Sequence, residues 1–287
     1  ASRAAQIFGE FMSHQNKGGA HRAAAQGAGP RTGAAPGARS SPPKHAPRVP
    51  AWTAAQWAAA LPPALASLGL TLDAGQQQRL VDYMVMLSHW NATYNLTALR
   101  APEDMLSHHL LDCLAVLAPL ARQLSQMGQG AVAKGALGAA APQSAAAPQP
   151  LRLLDVGSGG GLPGVVLAIC QPGVQVTCVD TVGKKAAFIR QVAAELKLPN
   201  LRAEHARVEQ LKARYDVITS RAFASLLDFV TLTKDLLADD AVWMAMKGKA
   251  PDEELAVLPA NVNVFHVEQL TVPGLDAERC LVWMRQR

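Results

Sequence analysis

An acid, a run of glycines and a proline stand together in Leu151-Arg-Leu-Leu-Asp155-Val-Gly157-Ser-Gly159-Gly-Gly161-Leu-Pro163-Gly164. The stretch reads as a short apolar strand, a tight turn and then a helical run, Val165–Cys170. Glycine has no Cβ and reaches positive φ, so backbone there can turn sharply and come close to a ligand. The helix that follows points unpaired N–H groups and a positive dipole end back at the turn. Strand, glycine turn and helix N-terminus together make a nucleotide-type pocket. A second acid, Asp180, closes the next strand 25 residues after Asp155. A carboxylate there can accept from ribose hydroxyls, or cap the helix that starts near Lys184, or do both.

The kind of nucleotide follows from details of the turn. Gly159-Gly-Gly161-Leu-Pro-Gly164 satisfies the dinucleotide pattern literally, but in that pattern the first glycine follows the strand directly. Here Asp155-Val-Gly157-Ser intervenes, and an acid ahead of Gly-x-Gly-x-Gly suits S-adenosylmethionine better. That ligand carries no pyrophosphate. It has a cationic amine and a sulfonium, which Asp155 can help hold directly or through water. Pro163 also argues against a second phosphate-binding turn. The expected donor site therefore includes Asp155, Gly157, Gly159 and Asp180, with a nicotinamide oxidoreductase as the rival reading.

Two further stretches stand where such a sheet meets its ligands. Arg207-Val208-Glu209 follows the third strand, at the adenine edge. Thr219-Ser220-Arg221-Ala222-Phe223 closes the fourth strand, beside the donor methyl. The Asn/Asp-Pro-Pro-aromatic turn that orients an amino nucleophile is absent there. So is a Pro-Cys dipeptide for covalent attack on a pyrimidine; Cys170 precedes Gln171-Pro172 instead. A nucleophile needing neither device remains, and guanine N7 is one: an unprotonated ring nitrogen on the major-groove edge. Arg221 is expected to bind and position rather than to move protons.

The elements that must place these residues can be read from periodicity. Helices are expected at about 53–61 and 75–91, with Pro62-Pro63 dividing two Ala/Leu-rich pieces. A third opens at Pro102, has Glu103 and Asp104 in its first turn, and runs to about Leu120. His108 and His109 adjoin and should face different sides of it, and His109 and Asp112, at i and i+3, suggest a structural hydrogen bond. From Leu151 strands and helices alternate, and Asn261–Leu270 and Cys280–Met284 form an antiparallel hairpin at one sheet edge. The fold expected is α/β: a Rossmann-like class I methyltransferase with a doubly wound, mostly parallel sheet and an N-terminal helical cap. Residues 1–50 are expected to be a disordered basic tail, 51–122 the cap, 123–150 a low-complexity flexible insertion and 151–287 the donor-binding domain.

Composition narrows the setting. The chain has 287 residues and a net charge of +5. Residues 1–50 hold seven of the 27 Lys/Arg but one of the 22 Asp/Glu, so the remainder is close to neutral. A basic tail can add salt-sensitive attraction to nucleic acid, or be a solvated extension with no function. No run approaches the roughly 20 apolar residues of a membrane span, and no secretory h-region is present, so a cytoplasmic location is expected. Cys113, Cys170, Cys178 and Cys280 form no C-x-x-C pair and each lies in an apolar run; buried free thiols are expected, with no metal site.

The motifs also carry a family resemblance. Asn95-Leu96-Thr97, His109-x-x-Asp112, Asp155–Gly164, Leu196-Lys197-Leu198, Ser220-Arg-Ala-Phe-Ala-Ser225 and Met246-Lys247-Gly248, in that order, resemble the bacterial 16S rRNA guanine-N7 methyltransferase family, also called the glucose-inhibited division protein B family. The resemblance covers about residues 75–287. It implies a donor site including Gly157, Leu162, Val208, Glu209 and Arg221. As target it implies a guanine in the decoding-region loop of 16S rRNA, presented by the RNA or by a small-subunit assembly intermediate. RNA is then expected at Asn95, Thr97, Arg100, Lys184, Lys185 and Lys247, with Arg190 and Lys249 as further phosphate contacts and Tyr94 or Phe223 stacking on a splayed base. A monomer is expected. The basic tail, the 123–150 insertion and Cys113, where the family more often has serine, depart from the family pattern. A methyltransferase acting on another RNA or a small molecule, and a non-catalytic RNA-binding module, are the remaining alternatives.

Overall fold

The computed structural model describes residues 50–136 and 149–287. The expectation of a disordered tail, and the later part of the expected insertion, lie outside the described residues.

Helices α1 (Ala54–Ser67) and α2 (Ala74–Tyr94) each begin with a capping box: Thr53 with Gln56, and Asp73 with Gln76. α1 does not stop at Pro62-Pro63. Trp57, Leu61 and Leu65 are buried along one face while both prolines are exposed, so the two missing N–H donors fall on the solvent side. α2 ends on Asn95 in the left-handed conformation, φ 51°.

The third helix departs from a regular run to Leu120. It divides into α3 (Pro102–Met105), a π turn (Leu106–Leu111), α4 (Asp112–Leu114) and, after a break, α5 (Leu117–Ala136). α5 carries helix well past residue 123, where the low-complexity stretch was expected to begin.

Seven strands follow: β1 (Arg152–Val156), β2 (Gln175–Asp180), β3 (Leu201–His205), β4 (Tyr215–Arg221), β5 (Leu237–Lys247), β6 (Val262–Leu270) and β7 (Arg279–Gln286). Their order is β3-β2-β1-β4-β5-β7-β6. β1 to β5 are parallel, while β7 runs antiparallel to both β5 and β6, the expected edge hairpin. Between them stand α6 (Gly164–Cys170), α7 (Gly183–Glu195), α8 (Leu226–Thr233) and the short α9 (Asp252–Ala256).

The chain leaves β1 toward β2 on one side, and β4 lies on the other, so the order reverses between β1 and β4, where a doubly wound sheet opens a crevice. The Ser220 hydroxyl donates across that seam to the Val156 carbonyl at 2.9 Å. One apolar cluster joins Trp57, Leu80, Met84 and Leu87 of the helices to Leu153, Val165, Phe188 and Met244, so cap helices and sheet share a core. No helix among the described residues is long and apolar enough to cross a membrane.

Candidate functional site

Two adjoining cavities lie at the carboxyl ends of the parallel strands, and Gly157 and Phe223 line both. The second, of about 410 Å3, is lined by Asp180, Val182, Lys185, Val208 and Glu209 among others. The first, of about 460 Å3, runs from Gly157–Gly160 and Leu162 past Arg221 to Thr97, His108, His109 and Asp112, and on to Lys247 and Arg279.

The glycine turn is shaped by acids behind it. Asp180 Oδ2 accepts from the Gly159 N–H at 2.9 Å and Oδ1 from the Val182 N–H at 2.8 Å, so one carboxylate ties the turn to the loop before α7. The N-cap of α7 is Val182, with no side-chain cap bond, and Asp180 does not cap the helix as expected. Lys185 Nζ stands 3.8 Å from it. Gly157 sits at φ +70°, and a Cβ built there would meet no protein atom within 4 Å, which leaves open space for a ligand against the backbone.

Asp155 is placed differently from the expectation. It is 0% exposed and lines neither cavity; Oδ2 accepts from the Gly164 N–H at 2.8 Å, behind the turn. Among the described residues Oδ1 has no hydrogen-bond partner. Burial pushes its carboxyl up to about 7, against the opposing pull of the Gly164 N–H and Arg221. It shapes the turn from within the core and does not face a ligand.

Arg221 is the meeting point of the other half. Its Nη1 donates to the His108 carbonyl at 2.9 Å and to Asp112 Oδ2 at 3.2 Å, and lies 3.5 Å from His109 Nδ1. Asp112 Oδ1 accepts from Arg279 Nε at 3.1 Å, so one buried carboxylate holds two arginines. His109 Nε2 meets Thr97 Oγ1 at 2.6 Å. Thr97 Oγ1 already accepts from the Leu99 N–H, and His109 Nδ1 lies 3.1 Å from the His108 carbonyl. Those partners assign the proton to Nδ1 and make Nε2 the acceptor. Burial, with the Arg221 charge beside it, brings the imidazole down to about 4, so it is neutral at pH 7.

The expected His109–Asp112 hydrogen bond is not formed: Asp112 accepts from Arg221 and Arg279, while His109 pairs with Thr97 and the His108 carbonyl. His108 and His109 both border the first cavity, His109 buried with its ring on Thr97 and His108 half-buried with its ring on Ser107. Past Arg221, Ala222 takes φ 63°, and Ala222 and Phe223 line the first cavity with it.

Of the expected RNA contacts, Thr97 and Lys247 line the first cavity and Lys185 the second. Lys247 Nζ is held by both carboxylate oxygens of Glu254 at 2.8 Å. Asn95 Oδ1 accepts from Arg100, and Lys184 is exposed; none of these three lines either cavity. Arg190 is tied to the Ala203 carbonyl and Tyr94 stacks near Trp90, their ring centroids 5.0 Å apart. All four cysteines are free and buried. Among the described residues no group of three or more His, Cys, Asp or Glu could hold a metal ion.

Arg279 was not singled out from sequence. It enters because antiparallel β7 begins at the edge where parallel β4 and β5 end, with Lys247 opposite Cys280 and Arg221 opposite Met246. The expected hairpin already carried that signal. Tyr83 was missed as well, although a tyrosine on an apolar helix face needs a buried partner for its hydroxyl.

A doubly wound sheet with this glycine turn, an acid closing β2 and a crevice at the β1/β4 reversal defines a class I S-adenosylmethionine-dependent methyltransferase. The open backbone at Gly157 and the acids Asp180 and Glu209 around the second cavity fit that ligand. The family model described as rRNA small subunit methyltransferase G matches residues 76–131 and 139–282, and the chain belongs to that family. It is 56% identical over 219 residues to the ribosomal RNA small subunit methyltransferase G of Acidovorax sp. (strain JS42), covering 76% of this chain and 91% of that one. With the protein of the same name from Verminephrobacter eiseniae it shares 58% over 215 residues, 75% and 88% of the two chains. Among solved structures, TrmN from Thermus thermophilus overlays with a TM-score of 0.40 at 17% identity, over 48% of this chain and 44% of that one.

Proposed function

We propose that the protein transfers a methyl group to N7 of a guanine in the decoding-region loop of 16S rRNA. It acts as a cytoplasmic monomer on that RNA or on a small-subunit assembly intermediate. The observation that supports this best is the make-up of the first cavity. Arg221 stands there with Asp112 and a neutral His109, and the end of β4 reads Ser220-Arg221-Ala222-Phe223 with no amine-orienting turn.

S-adenosylmethionine, when bound, supplies a methyl group on an electrophilic sulfonium. Gly157, Gly159, Leu162, Asp180, Val208 and Glu209 hold it, with Arg221 beside them. Asp155 serves from behind, through Gly164. Guanine N7 carries a lone pair and no proton, so the chain needs no general base. It needs alignment and the exclusion of water. The product base is cationic, and one feature suits that charge: Glu254 holds the Lys247 ammonium at the cavity wall. Thr97, Arg100, Lys185 and Lys247 take the RNA backbone, with Asn95 and Lys184 at its flanks and Phe223 available to stack.

Mapping N7-methylguanine in 16S rRNA from cells with and without this protein tests the proposal. Loss of one decoding-region modification on deletion, restored by the gene, is expected. An unchanged map would overturn it.

A further inference from the structure

One face of α2 grips the glycine turn and the helix behind it. Tyr83 is fully buried, and its hydroxyl donates to the Gly160 carbonyl at 2.7 Å. One turn further on, Leu87 Cδ1 lies 2.8 Å from where a Cβ on Gly160 would stand. Two turns earlier, Gln76 Nε2 donates to the Ile169 and Cys170 carbonyls at 3.4 and 3.2 Å, the last of α6. Residues 76, 83 and 87 are spaced by seven and four and so share a face. They clasp both ends of the unit formed by the turn and α6.

Burying a phenol hydroxyl carries a large desolvation cost unless it is hydrogen-bonded, and leucine or phenylalanine would fill this core without one. The bond Tyr83 makes is with the middle of the turn. On either side, the Gly159 N–H is held by Asp180 and the Gly161 N–H by the Ser158 carbonyl at 2.7 Å. Gly157 to Gly160 line the first cavity, whereas Tyr83 lines neither.

We propose that Tyr83 is a positioning residue for the methyl donor. It acts through the Gly160 carbonyl to hold the turn in the shape that receives the ligand, and does not touch the ligand. The proposal rests on the reading of the cleft as the donor site.

Tyr83→Phe keeps the ring, packed 6.4 Å from Phe188, and removes only the bond. The Kd for S-adenosylmethionine, measured calorimetrically without RNA, is expected to rise about tenfold, the scale of one buried hydrogen bond lost. The donor KM should rise with it, while kcat and the RNA KM stay within about twofold, and amide exchange at Gly159–Gly161 should quicken. Leu65→Ala in α1 serves as a control: it lowers Tm and leaves donor Kd unchanged. The proposal is overturned if Tyr83→Phe binds the donor as tightly as the parent, or if Leu65→Ala weakens binding equally. A parent protein that does not bind the donor at all would instead refute the reading of the cleft.

Discussion

The Arg221 guanidinium and the Asp112 carboxylate meet at 3.2 Å where the end of β4 faces α4. The acid is nearly buried, its side chain 5% exposed, while those of Arg221 and Arg279 keep 21% and 22%. A buried anion thus holds two cations half-open to the cleft, and it ties the helices to two strands that run in opposite directions.

Arg221→Ala should lower kcat/KM for 16S rRNA by at least about 100-fold, since alignment is the main catalytic resource for an unprotonated nucleophile. The far-ultraviolet circular dichroism should be unchanged. Arg221→Lys should not restore activity, because one ammonium cannot reproduce contacts to both the His108 carbonyl and Asp112. Retained N7-methylguanine in rRNA from a strain relying on the alanine variant would refute this.

Asp112→Ala should cost about 3 kcal/mol, the scale for breaking a buried ion pair by removing one partner. Urea unfolding measures it. A loss below about 1 kcal/mol would mean that the two arginines find solvent as good a partner.

The buried acid and the buried imidazole give opposite pH dependences. Asp155 has a folded pKa of about 7, above its unfolded value, so its contribution is fully present below about pH 4 and is lost as pH rises through 7. Asp155→Asn should therefore gain stability relative to the parent between pH 4 and 7, and then level off. His109, lowered to about 4, works the other way: its contribution is present above about pH 6.5 and lost as pH falls through 4. A proton NMR titration should place the His109 midpoint near 4, and a midpoint near 6.5 would contradict the burial and the Arg221 contact.

Two glycines in the same turn should fail differently. A Cβ at Gly164 would lie 2.4 Å from Cys178 Sγ and 2.8 Å from Asp155 Oδ2, so Gly164→Ala should lower Tm sharply. At Gly157 the Cβ meets open space, so Gly157→Ala costs mainly the positive φ, about 1 kcal/mol, and its larger effect should be on donor affinity. Thermal melts and donor titrations of both variants compare the two effects.

Alternation of strands with helices, the acid-then-glycine turn and the antiparallel hairpin were legible because each rests on local pattern. Periodicity sets which faces are buried, and glycine and proline mark where backbone must turn. Placing Arg221 at the cleft needed only its position at the end of β4. Three things were not local. Asp155 faces the core because α6 packs its first N–H onto the carboxylate, a contact between residues nine apart that spacing cannot orient. A π turn over Leu106–Leu111 replaces the regular ladder, and apolar spacing does not register one extra residue per turn. Asp112 binds Arg221 and Arg279, residues 109 and 167 positions away, because the chain order and the direction of β7 bring three elements to one edge. From its sequence alone this protein determines its strands and the helices between them, its ligand class and the residue types at each strand end, while the cap helices run and break differently from their apolar spacing. Which of those side chains face the ligand and which face one another was decided only by the packing of helices against the sheet, where a buried charge must take whatever partner lies within reach.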